Sequence, residues 1–214
     1  MLKFVMFDLD GTLANSRDDI ASSVNLTLDS FEFPRREPEE IYGFIGGGVH
    51  NLIRNSLPEG AKGMVEEGVE IFWKIYKEHV LDTTRLYPGI KEVLGELRGV
   101  RKGVVTNKPL SHTRLILEGL GIAGFFETVQ GWVEGIEVKP DPQMLYMALD
   151  EANVPKEHAV MVGDSMNDLL AARNAGVRAC IVGYGYGRMD AVMEAKPDFF
   201  AQTVADIPRV LEGA

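Results

Sequence analysis

"FVMFDLDGTLANS", residues 4–16, runs apolar from Phe4 to Phe7 and then sets two carboxylates, Asp8 and Asp10, on either side of Leu9. Two readings compete for it. Asp-Gly between apolar runs is a strong hairpin-turn signal. Alternatively the run is a buried strand whose end carries acids, as in a parallel sheet covered on both faces, where ligands gather at the carboxyl ends of the strands.

The rest of the chain favours the second reading. Continuous apolar runs recur at 3–7 (KFVMF), 101–106 (RKGVVT), 158–163 (HAVMVG) and 178–183 (RACIVG), with 198–201 (DFFA) a weaker candidate. They do not alternate, which is how strands buried on both faces read. Between them stand helical patterns at 90–98, 111–121, 142–153 and 167–176, and Gly121 and Gly176 occupy helix C-terminal positions. Strand-helix alternation predicts an α/β fold, a doubly wound, Rossmann-like parallel sheet.

The first strand is followed by about seventy residues with helical periodicity and no convincing strand, too long for a simple crossover. They predict a small all-α cap domain over 15–86, inserted into an α/β core made of 1–14 and 87–214. "LYPG" (86–89) marks the return.

Composition narrows the function. The chain has 214 residues, 45% of them hydrophobic and 25% charged, enough for a real core. With 22 Lys and Arg against 32 Asp and Glu the net charge is −10, so the overall field repels nucleic acid and anionic membrane and favours a small-molecule partner. The single cysteine, Cys180, lies in an apolar stretch and reads as core in a reducing compartment. No apolar run approaches transmembrane length, and Asp8 interrupts the N-terminal run before it could form a signal-peptide core. A cytoplasmic location is expected, as a monomer or homodimer.

Four polar clusters fall at or beyond strand ends: Asp8 with Asp10, Thr106 with Asn107, Lys139 in "GIEVKPDP", and Asp164 with Asp168 in "VGDSMND". Each alone has a bland explanation. Asp10-Gly11 suits a turn, Thr106, Asn107 and Asp164 suit helix caps, and Lys139 suits an exposed loop. Together they supply what phosphoryl transfer needs: a nucleophile, donors and cations around phosphate oxygens, and carboxylates for an oxygen-ligated magnesium ion.

The chain resembles the haloacid dehalogenase superfamily of aspartate-nucleophile phosphatases, whose motifs run Asp-x-Asp-x-Thr, Ser or Thr, Lys, and Gly-Asp-x-x-x-Asp. Here they stand as Asp8-Leu9-Asp10-Gly11-Thr12, Thr106, Lys139 and Gly163-Asp164-Ser165-Met166-Asn167-Asp168. The resemblance implies that Asp8 attacks phosphorus and that Asp10 serves as acid and then base. It implies that Mg2+ is held by Asp8, Asp164 and the backbone carbonyl of Asp10, with Asp168 orienting its waters or completing its shell. Thr106 and the backbone amide of Asn107 would hold phosphate oxygens, and Lys139 would offset charge.

"VVTNKPLSHTRLILEGLGI" and "GYGYG" (183–187) look like the phosphoglycolate phosphatase branch, which implies a small carboxylate-bearing phosphomonoester such as 2-phosphoglycolate. Lys108 is either a binding residue or an exposed lysine, and Tyr184 and Tyr186 read as loop surface near the site. In the insertion, Gly46, Gly47 and Gly48 precede a helix with an apolar stripe of Val49, Leu52, Ile53 and Leu57. Bare amides at Gly47 and Gly48 can face an anion, and His50 and Arg54 share a helix face from which they can reach a substrate carboxylate. A flexible loop with a solvated polar face is the plainer alternative.

Two other functions fit parts of the pattern. A phosphosugar mutase of the β-phosphoglucomutase kind shares the motifs and the cap type, although no sugar-reading segment stands out. A non-enzymatic phospho-acceptor module shares the acids, Thr, Lys and magnesium but lacks the long helical insertion. The four histidines show no zinc-type spacing. Trp73 falls in a stretch of helical periodicity that reads as cap core.

Overall fold

The computed structural model describes residues 1–213. They fall into two compact units, one built from Met1–Asn15 and the chain from Leu86 onward, the other from Ser16–Arg85.

The first unit is a six-stranded parallel sheet. Its strands are β1 (Phe4–Phe7), β4 (Arg101–Pro109), β5 (Thr128–Trp132), β6 (Ala159–Gly163), β7 (Arg178–Val182) and β8 (Phe199–Ala201), in the order β5-β4-β1-β6-β7-β8. Two-residue strands β2 (Ala14–Asn15) and β3 (Arg85–Leu86) pair separately where the chain leaves and re-enters this unit. Helices α5 (Ile90–Glu96), α6 (Leu110–Gly119), α7 (Gln143–Ala152), α8 (Met166–Ala175), α9 (Met189–Glu194) and α10 (Asp206–Leu211) form the crossovers and the C-terminal end. The doubly wound α/β architecture is therefore present.

The four residues of β1 are fully buried, as continuous apolar strands require when helices cover both faces. Phe4 and Met6 share one cluster with Val105, Met161, Ile181 and the inner faces of α7 and α8. The strand order reverses at β1, which makes its C-terminal end the crevice for a ligand. Register then selects the neighbours: Phe7 lies beside Val104 of β4 and Val162 of β6, so Thr106 and Asp164 each follow two residues beyond their strand's partner of Phe7.

Several local expectations change. β1 ends at Phe7, where the apolar run ends, and Asp8 and Asp10 stand just beyond it. Asp8 still donates its amide to Val162 O, and the chain then turns tightly as Thr12, Leu13 and Ala14 all donate to Leu9 O. The stretch is thus a strand end and a turn at once, but its strand pairs only in parallel, so it is no hairpin. β4 continues to Pro109 with a register shift between Thr106 and Pro109, and Pro109 precedes α6, so Thr106 and Asn107 do not cap that helix. Ser165, not Asp164, caps α8 and forms a capping box with Asp168. Edge strand β5 was not expected at all.

The second unit packs α1 (Arg17–Ser30), α2 (Pro38–Tyr42), α3 (Val49–Ser56) and α4 (Val65–His79). Val24, Leu28, Ile41, Ile53, Phe72 and Tyr76 are buried in it, and the Phe72 and Tyr76 rings stack at 5.3 Å. Trp73 is half-buried, with its ring 5.0 Å from Phe72. The Asp19 carboxylate, 2% exposed, accepts hydrogen bonds from the amides and hydroxyls of both Thr83 and Thr84, at 2.5–3.1 Å. One acid thereby ties the start of α1 to the segment that leaves the unit. No helix of the described residues is long and apolar enough to cross a membrane.

Candidate active site

The C-terminal ends of β1, β4 and β6 and the loop after β5 bring four carboxylates and two lysines together. Lys139, expected to be an exposed loop residue if it had no function, is 3% exposed. Its ammonium lies 3.0 Å from Asp8 Oδ1 and donates to Asp168 Oδ1 at 2.6 Å and Val105 O at 2.8 Å, three acceptors for three donors. The Asn107 side chain fixes that loop from both sides: its Oδ1 accepts from Lys139 N at 2.7 Å and its Nδ2 donates to Lys139 O at 3.0 Å. The sequence alone offers Asn107 as a helix cap or as a backbone donor, and the structure uses its side chain for neither, holding the Lys139 loop instead.

Lys108 is 6% exposed and is not a surface lysine. Its ammonium lies 3.0 Å from Asp10 Oδ2. The extension of β4 through Lys108 carries it there, and its amide donates to Thr106 Oγ1 at 3.3 Å. Each acid of the Asp-x-Asp pair therefore has its own buried ammonium.

Asp164 sits behind them, 3% exposed, with Oδ2 accepting from the amides of Tyr186 at 2.5 Å and Gly187 at 3.1 Å. Asp168 accepts on Oδ2 from Ser165 N at 3.0 Å and Ser165 Oγ at 2.7 Å. Side chains are excluded around Asp164. A Cβ on Gly11, whose φ is +82°, would stand 2.4 Å from Asp164 Oδ2, and one on Gly185 would stand 2.2 Å from Asp164 Cβ. Gly185, Tyr186, Gly187 and Ser165 were not singled out as site residues; the glycine spacing of "GYGYG" was the available signal.

Electrostatics shows what the site lacks. Burial pushes the Asp8 carboxyl up to about 6, with Asp168 and Asp10 adding to the rise and Lys139 opposing it. Burial pushes Asp164 up to about 8, reinforced by Asp168 and Asp8 against the two amides. Burial disfavours the Lys139 ammonium, but Asp168 and Asp8 outweigh it and hold the lysine more basic than usual. Four acids against two ammonium groups leave negative charge unbalanced.

A divalent cation fits that deficit. Asp8, Asp164 and Asp168 each offer a carboxylate oxygen, all within 4.8 Å of one another. An all-oxygen donor set suits Mg2+. The Asp10 carboxylate is outside this trio, on Lys108; the sequence reading assigned the metal its backbone carbonyl.

Gly47, Gly48, His50 and Arg54 belong to the helical unit and are described within it. Gly48, with φ +82°, precedes α3, and Gly47 O accepts from Asn51 Nδ2 at 2.8 Å. His50 and Arg54 are both exposed one turn apart, and His50 Nε2 lies 3.2 Å from Glu66 Oε2.

Residues 5–182 match the haloacid dehalogenase-like hydrolase family. The chain is 35% identical to a phosphoglycolate phosphatase of Mannheimia succiniciproducens, with 98% of each chain covered, and 33% identical to one of Vibrio parahaemolyticus, with 98% and 96% covered. Among solved structures it superposes on a predicted phosphoglycolate phosphatase from Haemophilus somnus with a TM-score of 0.87 and 31% identity, covering 98% of both chains. The chain belongs to the haloacid dehalogenase-like hydrolase family. Within that class it is an enzyme of phosphatase type, similar along its length to proteins named phosphoglycolate phosphatase.

Proposed function

We propose that the protein is a magnesium-dependent phosphomonoester hydrolase that works through an aspartyl-phosphate on Asp8. The observation that carries this reading is the division of the acid pair, Asp8 on Lys139 and Asp10 on Lys108, each at 3.0 Å. The two carboxylates, with only Leu9 between them, thus have different surroundings, Asp8 inside the carboxylate trio with Asp164 and Asp168 and Asp10 outside it, as distinct nucleophile and acid-base roles require.

Mg2+, held by Asp8, Asp164 and Asp168 with the Asp10 carbonyl, would offset the negative charge of nucleophile and phosphate. Asp8 attacks phosphorus, the bond to the ester oxygen breaks, and Asp10 donates its proton to the leaving alkoxide. Asp10 then takes a proton from the water that attacks the phosphorus, which releases phosphate and frees the Asp8 carboxylate. The Thr106 hydroxyl and the Asn107 amide donate to phosphate oxygens, and Lys139 offsets their charge. Gly163 serves this arrangement by having no side chain, since a Cβ there would stand 2.2 Å from Asp168 Cγ.

The substrate is 2-phosphoglycolate or a similar small phosphorylated acid, a reading supported by the names of the relatives. Residues 15–86 act as the substrate-selecting domain, and Arg54 and His50, with the amides at Gly47 and Gly48, receive the substrate's carboxylate. Phosphate release from a panel of phosphomonoesters, with and without Mg2+, tests the whole. A magnesium-dependent kcat/KM for 2-phosphoglycolate well above the rest, abolished by Asp8→Asn, is expected. Substantial turnover by Asp8→Asn removes the nucleophile, and uniform weak release across the panel removes the substrate.

A further inference from the structure

The "GYGYG" stretch has a division of labour that the reaction itself does not explain. Its tyrosines reach away from Asp164 and its later glycines press against it. The Tyr184 hydroxyl donates to Thr12 O at 2.9 Å, and its ring lies 4.7 Å from that of Tyr87. The Tyr186 hydroxyl donates to Asn15 Oδ1, also at 2.9 Å. Between these two anchors the backbone runs so close to Asp164 that a Cβ on Gly185 would stand 2.2 Å from Asp164 Cβ, and just beyond them one on Gly187 would stand 2.0 Å from Asp164 O. This approach brings the amides of Tyr186 and Gly187 onto the single oxygen Oδ2.

We propose that Tyr186, through its hydrogen bond to Asn15, is a positioning residue that sets the Asp164 carboxylate for its cation. The inference rests on the metal reading above and adds a residue to it. A carboxylate oxygen that accepts two backbone amides resists rotation about the side chain, so these amides fix the direction in which Asp164 would present its carboxylate to a cation. Backbone donors lose no side-chain freedom, but they hold direction only if the loop itself is fixed. Loops move more readily than the strands they follow. The two tyrosine hydroxyls fix this one to residues 12 and 15, the segment that follows the Asp-x-Asp pair. Groups that orient a metal ligand typically change metal affinity by roughly 10- to 100-fold when removed.

The test is a calorimetric titration of the full chain with MgCl2 alone, in five forms: wild type, Asp164→Asn, Tyr186→Phe, Asn15→Ala and the Tyr186→Phe/Asn15→Ala double variant. Tyr186→Phe is expected to weaken Mg2+ binding roughly tenfold. Asn15→Ala should weaken it similarly, and the double variant no further, because the two act as one pair. With saturating Mg2+, KM for the phosphomonoester should stay within about twofold of wild type, which separates positioning of the metal from general damage to the site.

An unchanged Mg2+ affinity in either single variant, or additive losses in the double, overturns the proposal while leaving the metal reading intact. If Asp164→Asn binds Mg2+ as tightly as wild type, the metal reading itself falls and takes the proposal with it.

Discussion

The Lys108 ammonium and the Asp10 carboxylate meet at 3.0 Å with side chains only 4% and 16% exposed, so the second acid of the Asp-x-Asp pair is held by a cation of its own. If Asp10 gives its proton to the leaving group, loss of its anchor should matter most where the leaving group needs that proton. Lys108→Met is expected to lower kcat/KM roughly 10- to 100-fold on an alkyl phosphate. It should be several-fold milder on p-nitrophenyl phosphate, whose phenolate leaves unaided, and Lys108→Arg should restore part of the loss. Parallel decreases on the two substrates would show that Lys108 does not act through Asp10.

The raised carboxyls of Asp8, about 6, and Asp164, about 8, make a statement about stability without metal. Both lie above the ordinary carboxylate range, so between about pH 4 and those values the folded protein keeps protons that the unfolded chain has released. The folded state is then favoured at the acid end and loses stability as pH rises through this window. In EDTA, Tm should fall from pH 5 to pH 8 by more in wild type than in Asp164→Asn, which should be the more stable of the two at pH 8. Added Mg2+ should raise Tm more at pH 8 than at pH 5, because it binds the ionised carboxylates. A variant no more stable than wild type at pH 8 would contradict the assignment of Asp164 as a buried charge in need of a counter-ion.

Much of this was legible in the chain because buried parallel strands leave an unmistakable trace. "KFVMF", "HAVMVG" and "RACIVG" are each within one or two residues of β1, β6 and β7. β5 was not, since "TVQGW" carries Gln130 and Gly131 at a sheet edge where one side of the ladder has no partner strand. Gly131 is there because β4 bends beside it, and a Cβ would stand 2.8 Å from Lys108 O. The same bend explains Lys108: in a string such as "TNKP" nothing tells a lysine that caps a surface turn from one drawn inward by an irregular strand end. Tyr186 and Gly187 contribute backbone amides, whose only trace in the sequence is the glycine spacing that lets the chain come so close to Asp164.

Asp19 offers a prediction within the helical unit alone. Its buried carboxylate gathers four donor groups, the amides and hydroxyls of Thr83 and Thr84, residues more than sixty positions away. Hydrogen bonds to a charged group contribute about 1.5–3 kcal/mol each, and the amide of buried Thr84, left without an acceptor, adds a penalty. Asp19→Ala should therefore cost about 3 kcal/mol or more in urea unfolding, and Asp19→Asn, which keeps one acceptor oxygen, clearly less. Amide hydrogen exchange at Thr83 and Thr84 should accelerate in the alanine variant. A cost below about 0.5 kcal/mol, the level of an ordinary surface substitution, would mean that this clasp does not hold the segment.

Arg54 and His50 carry the substrate-selection reading, and they should not carry it equally. Both are exposed on one face of α3, but the His50 ring already lies 3.2 Å from Glu66, whereas the guanidinium of Arg54 suits bidentate recognition of a carboxylate. Losing one charge-assisted contact of about 1.5–3 kcal/mol corresponds to roughly 10- to 100-fold in affinity. Arg54→Ala should accordingly raise KM for 2-phosphoglycolate at least about tenfold with little change in kcat, and His50→Ala by a smaller factor. Neither should alter KM for p-nitrophenyl phosphate, which has no carboxylate to read. Equal increases for both substrates would place Arg54 in phosphate binding or in the fold of the helical unit, and no increase for either would return α3 to an ordinary solvated face, with the carboxylate read elsewhere.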